Sequence, residues 1–238
     1  MINSLTGDGK IDIHGGGFDL KFPHHENEIA QEEALKGHKI ATYWMHNGFI
    51  NVDNVKMSKS LGNVILANDY INEFGGNTVR FLLVNTHYRL PVNFSNELAT
   101  SAIKELNKFE TTFKNLAVQM QLNNLPLDLK LDDSKLDIQA FLEALCDDLN
   151  TANALTEVYR VVKESNILLR NKELNLELLN KDFYTLKTMF DILGFKFEYP
   201  LLSDDDKKLY FDYNKAKKEK DFATSDLLRA KLIEKKIL

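Results

Sequence analysis

The stretch IDIHGGGFDLKFPHHENEIAQEEALKGHKIATYWMH, residues 11–46, decides how the chain folds. It opens with Ile11-Asp12-Ile13-His14 running into Gly15, Gly16 and Gly17, and it closes with residues 42–46, TYWMH, β-branched and aromatic at a density that disfavours helix. Between them, residues 27–37 are rich in Ala, Glu and Leu, with Pro23 ahead and Gly37 at the end, which reads as a helix with a glycine stop. Strand, helix, strand in that order predicts two short buried strands in a parallel α/β layer with a right-handed crossover. Ligands of such layers usually sit at the carboxyl ends of the strands, where His14, the glycines and His46 all fall.

Within this unit, FPHHENE (residues 22–28) crowds two imidazoles and two carboxylates together. With Pro23 at the first turn, His24 and Glu28 are four residues apart on one helical face and are competent zinc ligands. Two ligands make an incomplete tetrahedral site, and the same residues also suit a polar helix start, with Glu26 and Glu28 favoured by the helix dipole. His14 and His46 near the same strand ends add groups that could orient ligands. The glycine run has two readings, a tight turn or close approach of a nucleotide, and in the second Asp19 could accept hydrogen bonds from a ribose.

A second motif, KMSKSLGN (residues 56–63), sets Lys56 and Lys59 three apart among hydroxyls and ahead of a glycine. It reads as a mobile cationic loop suited to polyphosphate oxygens, and the spacing of a Walker loop is absent.

From about Asp69 the apolar spacing turns helical, and between residues 96 and 195 there is one proline, Pro126, and one glycine, Gly194. This half reads as a helical bundle. After Pro200 a lysine-rich stretch carrying Tyr210, Phe211 and Tyr213 reads as a helical hairpin. The boundaries expected are 1–68, 69–98 as a connection, 99–198 for the bundle and 199–238 for the last segment. At 238 residues, 44% hydrophobic and 27% charged, the chain is long enough for a sizeable core, and its net charge of -5 excludes binding nucleic acid by bulk charge while leaving a local basic face possible. No apolar run approaches the ~18 residues of a membrane span, no secretory signal stands at the start, and the single cysteine, Cys146, cannot form an internal disulfide. The expected compartment is the cytoplasm.

Assembled, these residues resemble the class I aminoacyl-tRNA synthetases, in particular the cysteinyl family. The resemblance rests on IDIHGGGFDLKFPHHENEIAQ, on YWMHNGFINVDNVKMSKSLGN and on FLLVNTHYRLPVNFS, with LCDDLNTANAL and KEKDFATSDLLRAKLIEKKIL in support. It implies an α/β then all-α fold: the C-terminal part of a Rossmann-like catalytic domain, a helical bundle and a short helical end. It also implies one Zn2+ on His24 and Glu28 with His25 and Glu26 as neighbours, and His14, His46 and Trp44 at the substrate pocket. Gly16, Gly17 and Asp19 fall on the ATP side, and Lys59 on the ATP phosphates, assisted by Lys56.

The implied activity is ligation of L-cysteine to its tRNA through a cysteinyl adenylate, with ATP as substrate accompanied by Mg2+ and no membrane involved. The alternatives are a cysteine ligase acting on an amino sugar and a non-catalytic module binding RNA or a partner chain. In the family two further cysteines complete the zinc site and a HIGH signature faces the lysine loop. The absence of both motifs here leads to the expectation of a partial enzyme, inactive alone, partnered by a missing N-terminal half and monomeric when complete. RNA contacts are expected on the bundle and on residues 207–236, with Tyr210 or Phe211 stacking on exposed bases.

Overall fold

The computed structural model describes residues 7, 9–129 and 135–238. Their contacts form two units. The first runs to Ala102 and takes in Leu149–Ala152, and the second comprises Ile103–Asp148 and Asn153–Leu238. The chain is mostly helical with two small sheets, and among the described residues no helix is long and apolar enough to cross a membrane.

In the first unit, β1 (Ile11–Gly17) and β2 (Ala41–Asn47) pair in parallel, Ile13 beside Tyr43 and Gly16 beside His46, across the helix α1 (Glu26–Lys36). Gly37 closes α1 in the left-handed conformation, φ 71°, as its sequence signal predicts. Two expectations are corrected. The glycine run is no tight turn: β1 continues through Gly17, and none of the three glycines has positive φ. The strands are not buried either, since Ile13 is 59% and Tyr43 67% exposed. Among the described residues each of these strands pairs only with the other, so the apolar side chains lack the flanking layers that would cover them.

A second sheet has the order β4-β3-β5, from β3 (Ile50–Val52), β4 (Val55–Lys56) and β5 (Val92–Phe94). The β3–β4 turn places Asp53 and Asn54 at φ 49° and 66°, the two-residue geometry Asx residues tolerate, and the Asn54 amide donates to Asn93 Oδ1 at 2.8 Å. The helices α2 (Ala67–Phe74) and α3 (Gly76–Val84) follow. Tyr70 is buried against Phe74 and Phe94 and donates its hydroxyl proton to the Ser95 carbonyl at 3.0 Å.

The long α4 (Asn96–Leu122) enters the second unit, joined there by α5 (Gln139–Cys146), α6 (Thr151–Leu168) and α7 (Leu176–Leu193). Their apolar stripes enclose Phe109, Phe113, Phe183 and Phe190, with Phe113 and Phe183 stacked at 5.2 Å. The last segment is the predicted hairpin, α8 (Asp204–Glu219) and α9 (Phe222–Glu234), seated on Val118 and Leu122 through Leu232 and Ile237. The two rings expected to meet exposed bases differ in exposure. Tyr210 is partly buried against this cluster and its hydroxyl accepts a hydrogen bond from Gln119 at 3.1 Å, so it is not a free platform for a base; Phe211 is the exposed ring.

Candidate metal and nucleotide site

Alternation along the parallel pair puts His14 and Gly16 on one face with Trp44 and His46. The chain then passes through a short 3-10 turn at Phe18–Leu20 and a wide turn at Lys21–His25, and α1 carries Glu28 back over that face. The result gathers four imidazoles, one indole and one carboxylate. Trp44 meets His14 edge-on at 4.7 Å and lies 5.0 Å from His25.

Glu28 is shared: its Oε2 is 2.7 Å from His14 Nε2, and its Oε1 is 3.4 Å from His24 Nε2. These distances separate two roles. Ligands about 2.0–2.1 Å from a tetrahedral zinc stand about 3.3 Å apart, which the His24–Glu28 spacing matches, whereas 2.7 Å is a hydrogen-bond length. By spacing and donor chemistry His24 and Glu28 could supply two of the four ligands of a tetrahedral zinc, with His14 placed to orient the carboxylate. His14, His25 and Glu28 also bring ligand atoms within 4.8 Å of one another. In that second grouping Glu28 Oε2 would exchange its hydrogen bond with His14 for the metal, and His25, whose Nδ1 stands 2.8 Å from His46 Nε2, would ligate through Nε2.

His25, a neighbour of the zinc ligands under the resemblance, has a definite place in the structure. It is 3% exposed, and burial, followed by the nearby His14, lowers its pKa. One nitrogen of the His25–His46 pair must donate and the other accept, which fixes complementary tautomers. Gly16 is what admits the ring: a β-carbon there would stand 2.8 Å from His25 Cε1. A glycine inside a strand was the available signal, since it marks close approach of another group.

Gly17 has a similar neighbour, with the Asp19 carboxylate folded against the space its β-carbon would fill. At the carboxyl ends of β1 and β2 lies a mostly apolar cavity of about 490 Å³ lined by Gly15, Gly16, Met45 and Asn47 from the strands, and by Leu149 and Thr151. Its volume admits a heterocyclic base.

Three hydrogen bonds organise the lysine loop. Asn63 accepts from the Ser58 amide at 2.9 Å and donates to the Lys56 carbonyl at 3.3 Å, while Ser58 Oγ accepts from the Leu61 amide at 3.3 Å. Lys59 is exposed. Lys56 Nζ lies 3.7 Å from the centre of the Phe49 ring.

Residues 1–104 match the family described as tRNA synthetases class I (C) catalytic domain, and residues 140–198 match the DALR domain. The chain is 43% identical over its whole length to the cysteine–tRNA ligase of Bacillus cereus (strain AH187), of which it covers 52%, and equally identical to that of Bacillus anthracis (strain A0248), again covering 52%. It thus spans about half the length of the curated relatives it matches. Two similar solved structures are the Agrobacterium radiobacter K84 agnB2 LeuRS-tRNA-LeuAMS ternary complex (TM-score 0.56, 20% identity, 75% of this chain and 25% of that one) and the putative arginyl tRNA synthetase from Campylobacter jejuni (0.57, 14%, 78% and 47%). At such identities the likeness is one of fold.

Proposed function

The chain belongs to the cysteine–tRNA ligase family of class I aminoacyl-tRNA synthetases, and from that premise we propose that it carries part of the machinery that activates L-cysteine with ATP and transfers it to its tRNA in the cytoplasm. The observation that carries the proposal is Glu28 held between His14 and His24 at the carboxyl ends of the parallel strands.

Zinc on His24 and Glu28 would supply a soft Lewis acid that takes a thiolate far better than the hydroxyl of serine. Selection by coordination needs no second editing site, unlike a pocket that must weigh a single methylene. The chain's own groups do the rest. His14 holds the carboxylate in place, Trp44 and His46 wall the amino-acid side, and Gly16, Gly17 and Asp19 face the nucleoside. Lys59, with Lys56, stabilises the negative charge developing on the departing pyrophosphate of the Mg2+-bound nucleotide, which is electrostatic catalysis without a covalent enzyme intermediate. The helical half, with its match to the DALR domain, favours an RNA acceptor over an amino sugar. The complete enzyme would work as a monomer.

The test mixes this chain with the half of the Bacillus cereus relative that it does not cover, then measures bound zinc by native mass spectrometry and cysteine-dependent exchange of pyrophosphate into ATP. The expected result is one zinc and exchange with cysteine but not serine. His24→Ala or Glu28→Ala should lose the metal, and His14→Ala should weaken it about 10–100-fold, as loss of an orienting partner does. Full zinc retention by both His24→Ala and Glu28→Ala would refute the ligand assignment.

A further inference from the structure

The two lysines of the loop are in different states. Among the described residues the Lys59 ammonium has no partner, whereas that of Lys56 rests on the Phe49 ring at 3.7 Å, well inside the ~6 Å over which a ring face attracts a cation. We propose that Phe49 and Asn63 are positioning residues for this loop: Phe49 holds the Lys56 ammonium in reserve until a polyphosphate draws it away, and Asn63 keeps the backbone fixed while the side chain transfers. This rests on the reading of the loop as a polyphosphate site.

The backbone around Phe49 is tied down on both sides. The Val92 amide donates to the Phe49 carbonyl at 2.9 Å, and the Gly48 amide to the Tyr88 carbonyl at 2.7 Å. A β-carbon on Gly48 would run into the carbonyl of Leu90. Across the hairpin, Asn51 pairs with Lys56 and the Met57 amide donates to the Ile50 carbonyl at 2.9 Å, which sets the lysine stem beside the ring.

Asn63 then closes the far side by bridging the Ser58 amide and the Lys56 carbonyl, and Gly62, at φ 66°, turns the chain back so that it can. The ammonium can therefore leave the ring by side-chain rotation alone. A ring quadrupole is a weaker partner than anionic phosphate oxygens, so the ring yields to a bound polyphosphate. While occupied, however, it lowers the fraction of chains ready to bind, and removing it should strengthen binding. A purely structural role for Phe49 predicts the opposite sign.

The test titrates inorganic tripolyphosphate into the 238-residue chain and follows the Lys56 ε-methylene protons by NMR. In the unmodified chain these protons should start shifted upfield by the ring and move downfield at saturation. Phe49→Leu should bind about three- to fivefold tighter, Phe49→Tyr should behave as the unmodified chain, and Phe49→Leu should have no effect once Lys56→Met is present. Asn63→Ala should weaken binding with the Lys56 protons still upfield before titration. Weaker binding by Phe49→Leu, an equal change with and without Lys56, or Lys56 protons still upfield at saturation would each overturn the proposal while leaving the loop reading intact. Binding that is absent, or unchanged by Lys59→Ala, would sink the loop reading and this inference with it.

Discussion

Gly16 and Gly48 are the positions where one β-carbon tests the site. At Gly16 it would stand 2.8 Å from His25 Cε1 and 3.0 Å from Leu20 Cδ1, both side-chain atoms that can shift. Gly16→Ala should therefore fold, cost about 1–3 kcal/mol of overpacking, and displace His25 from His46. Urea unfolding gives the first quantity and the imidazole NMR signals the second; His25 signals unmoved by the substitution would contradict the packing described. At Gly48 the obstacle is the backbone at Leu90 and Pro91, so Gly48→Ala should cost more than Gly16→Ala in the same measurement. With His14 standing mid-strand in β1, which runs on through Gly17, the places of His24 and Glu28 by helix spacing and of His46 near a strand end were legible in the sequence. The use of His25 was not. Its partners, Gly16 and His46, sit nine and twenty-one residues away, and no local pattern reports a ring laid across a strand.

At the scale of elements, the α8–α9 hairpin gives a pH prediction. Ser203 and Asp206 form a reciprocal cap at the start of α8, and Lys235, just beyond α9, donates to Asp206 Oδ1 at 2.7 Å. The hydrogen bond from Lys235, then those from Ser203, hold the Asp206 carboxyl down at about 2. A depressed carboxyl contributes its stability above the unfolded value, about 3.9, and loses it as the pH falls through the folded value. The stability gap between the unmodified chain and Asp206→Asn should thus be constant above about pH 5 and shrink steadily from pH 4 to pH 2. Urea midpoints across that range check it, and a gap independent of pH would count against the pair. The hairpin itself was readable from its lysines, its aspartates and the break before it. Which aromatic turned inward was not, because Tyr210 and Tyr213 share a face with Leu209 only once the seat on Val118 and Leu122 exists.

At the scale of the whole molecule, burial among the described residues is unequal between the two units. The largest fully buried side chains, Phe109, Phe141 and Phe183 among them, all belong to the second unit, where four bundle helices and the terminal hairpin share aromatic and aliphatic cores. The first unit buries Ile40, Ala41, Tyr70, Phe81, Leu82 and Phe94, together with Ala99 and Ala102, and leaves Ile13, Phe18, Phe22 and Tyr43 more than half exposed. Local stability follows buried apolar contact, so the amides of β1, β2 and α1 should exchange with solvent well before those of α4 between Leu106 and Leu116. The strand, helix, strand order predicted the parallel β1–β2 pair but not the three-stranded sheet beside it in sequence, and it overestimated burial, because periodicity reports which side chains could be covered and not what covers them. If the site is completed as proposed, hydrogen exchange should slow in β1 and β2 when the unmatched half of the Bacillus cereus relative and zinc are added, with α4 between Leu106 and Leu116 unchanged. Equal protection of both units in the chain alone would show that the exposed strands are stabilised by contacts other than those described, and would remove the reason to expect a covering partner there.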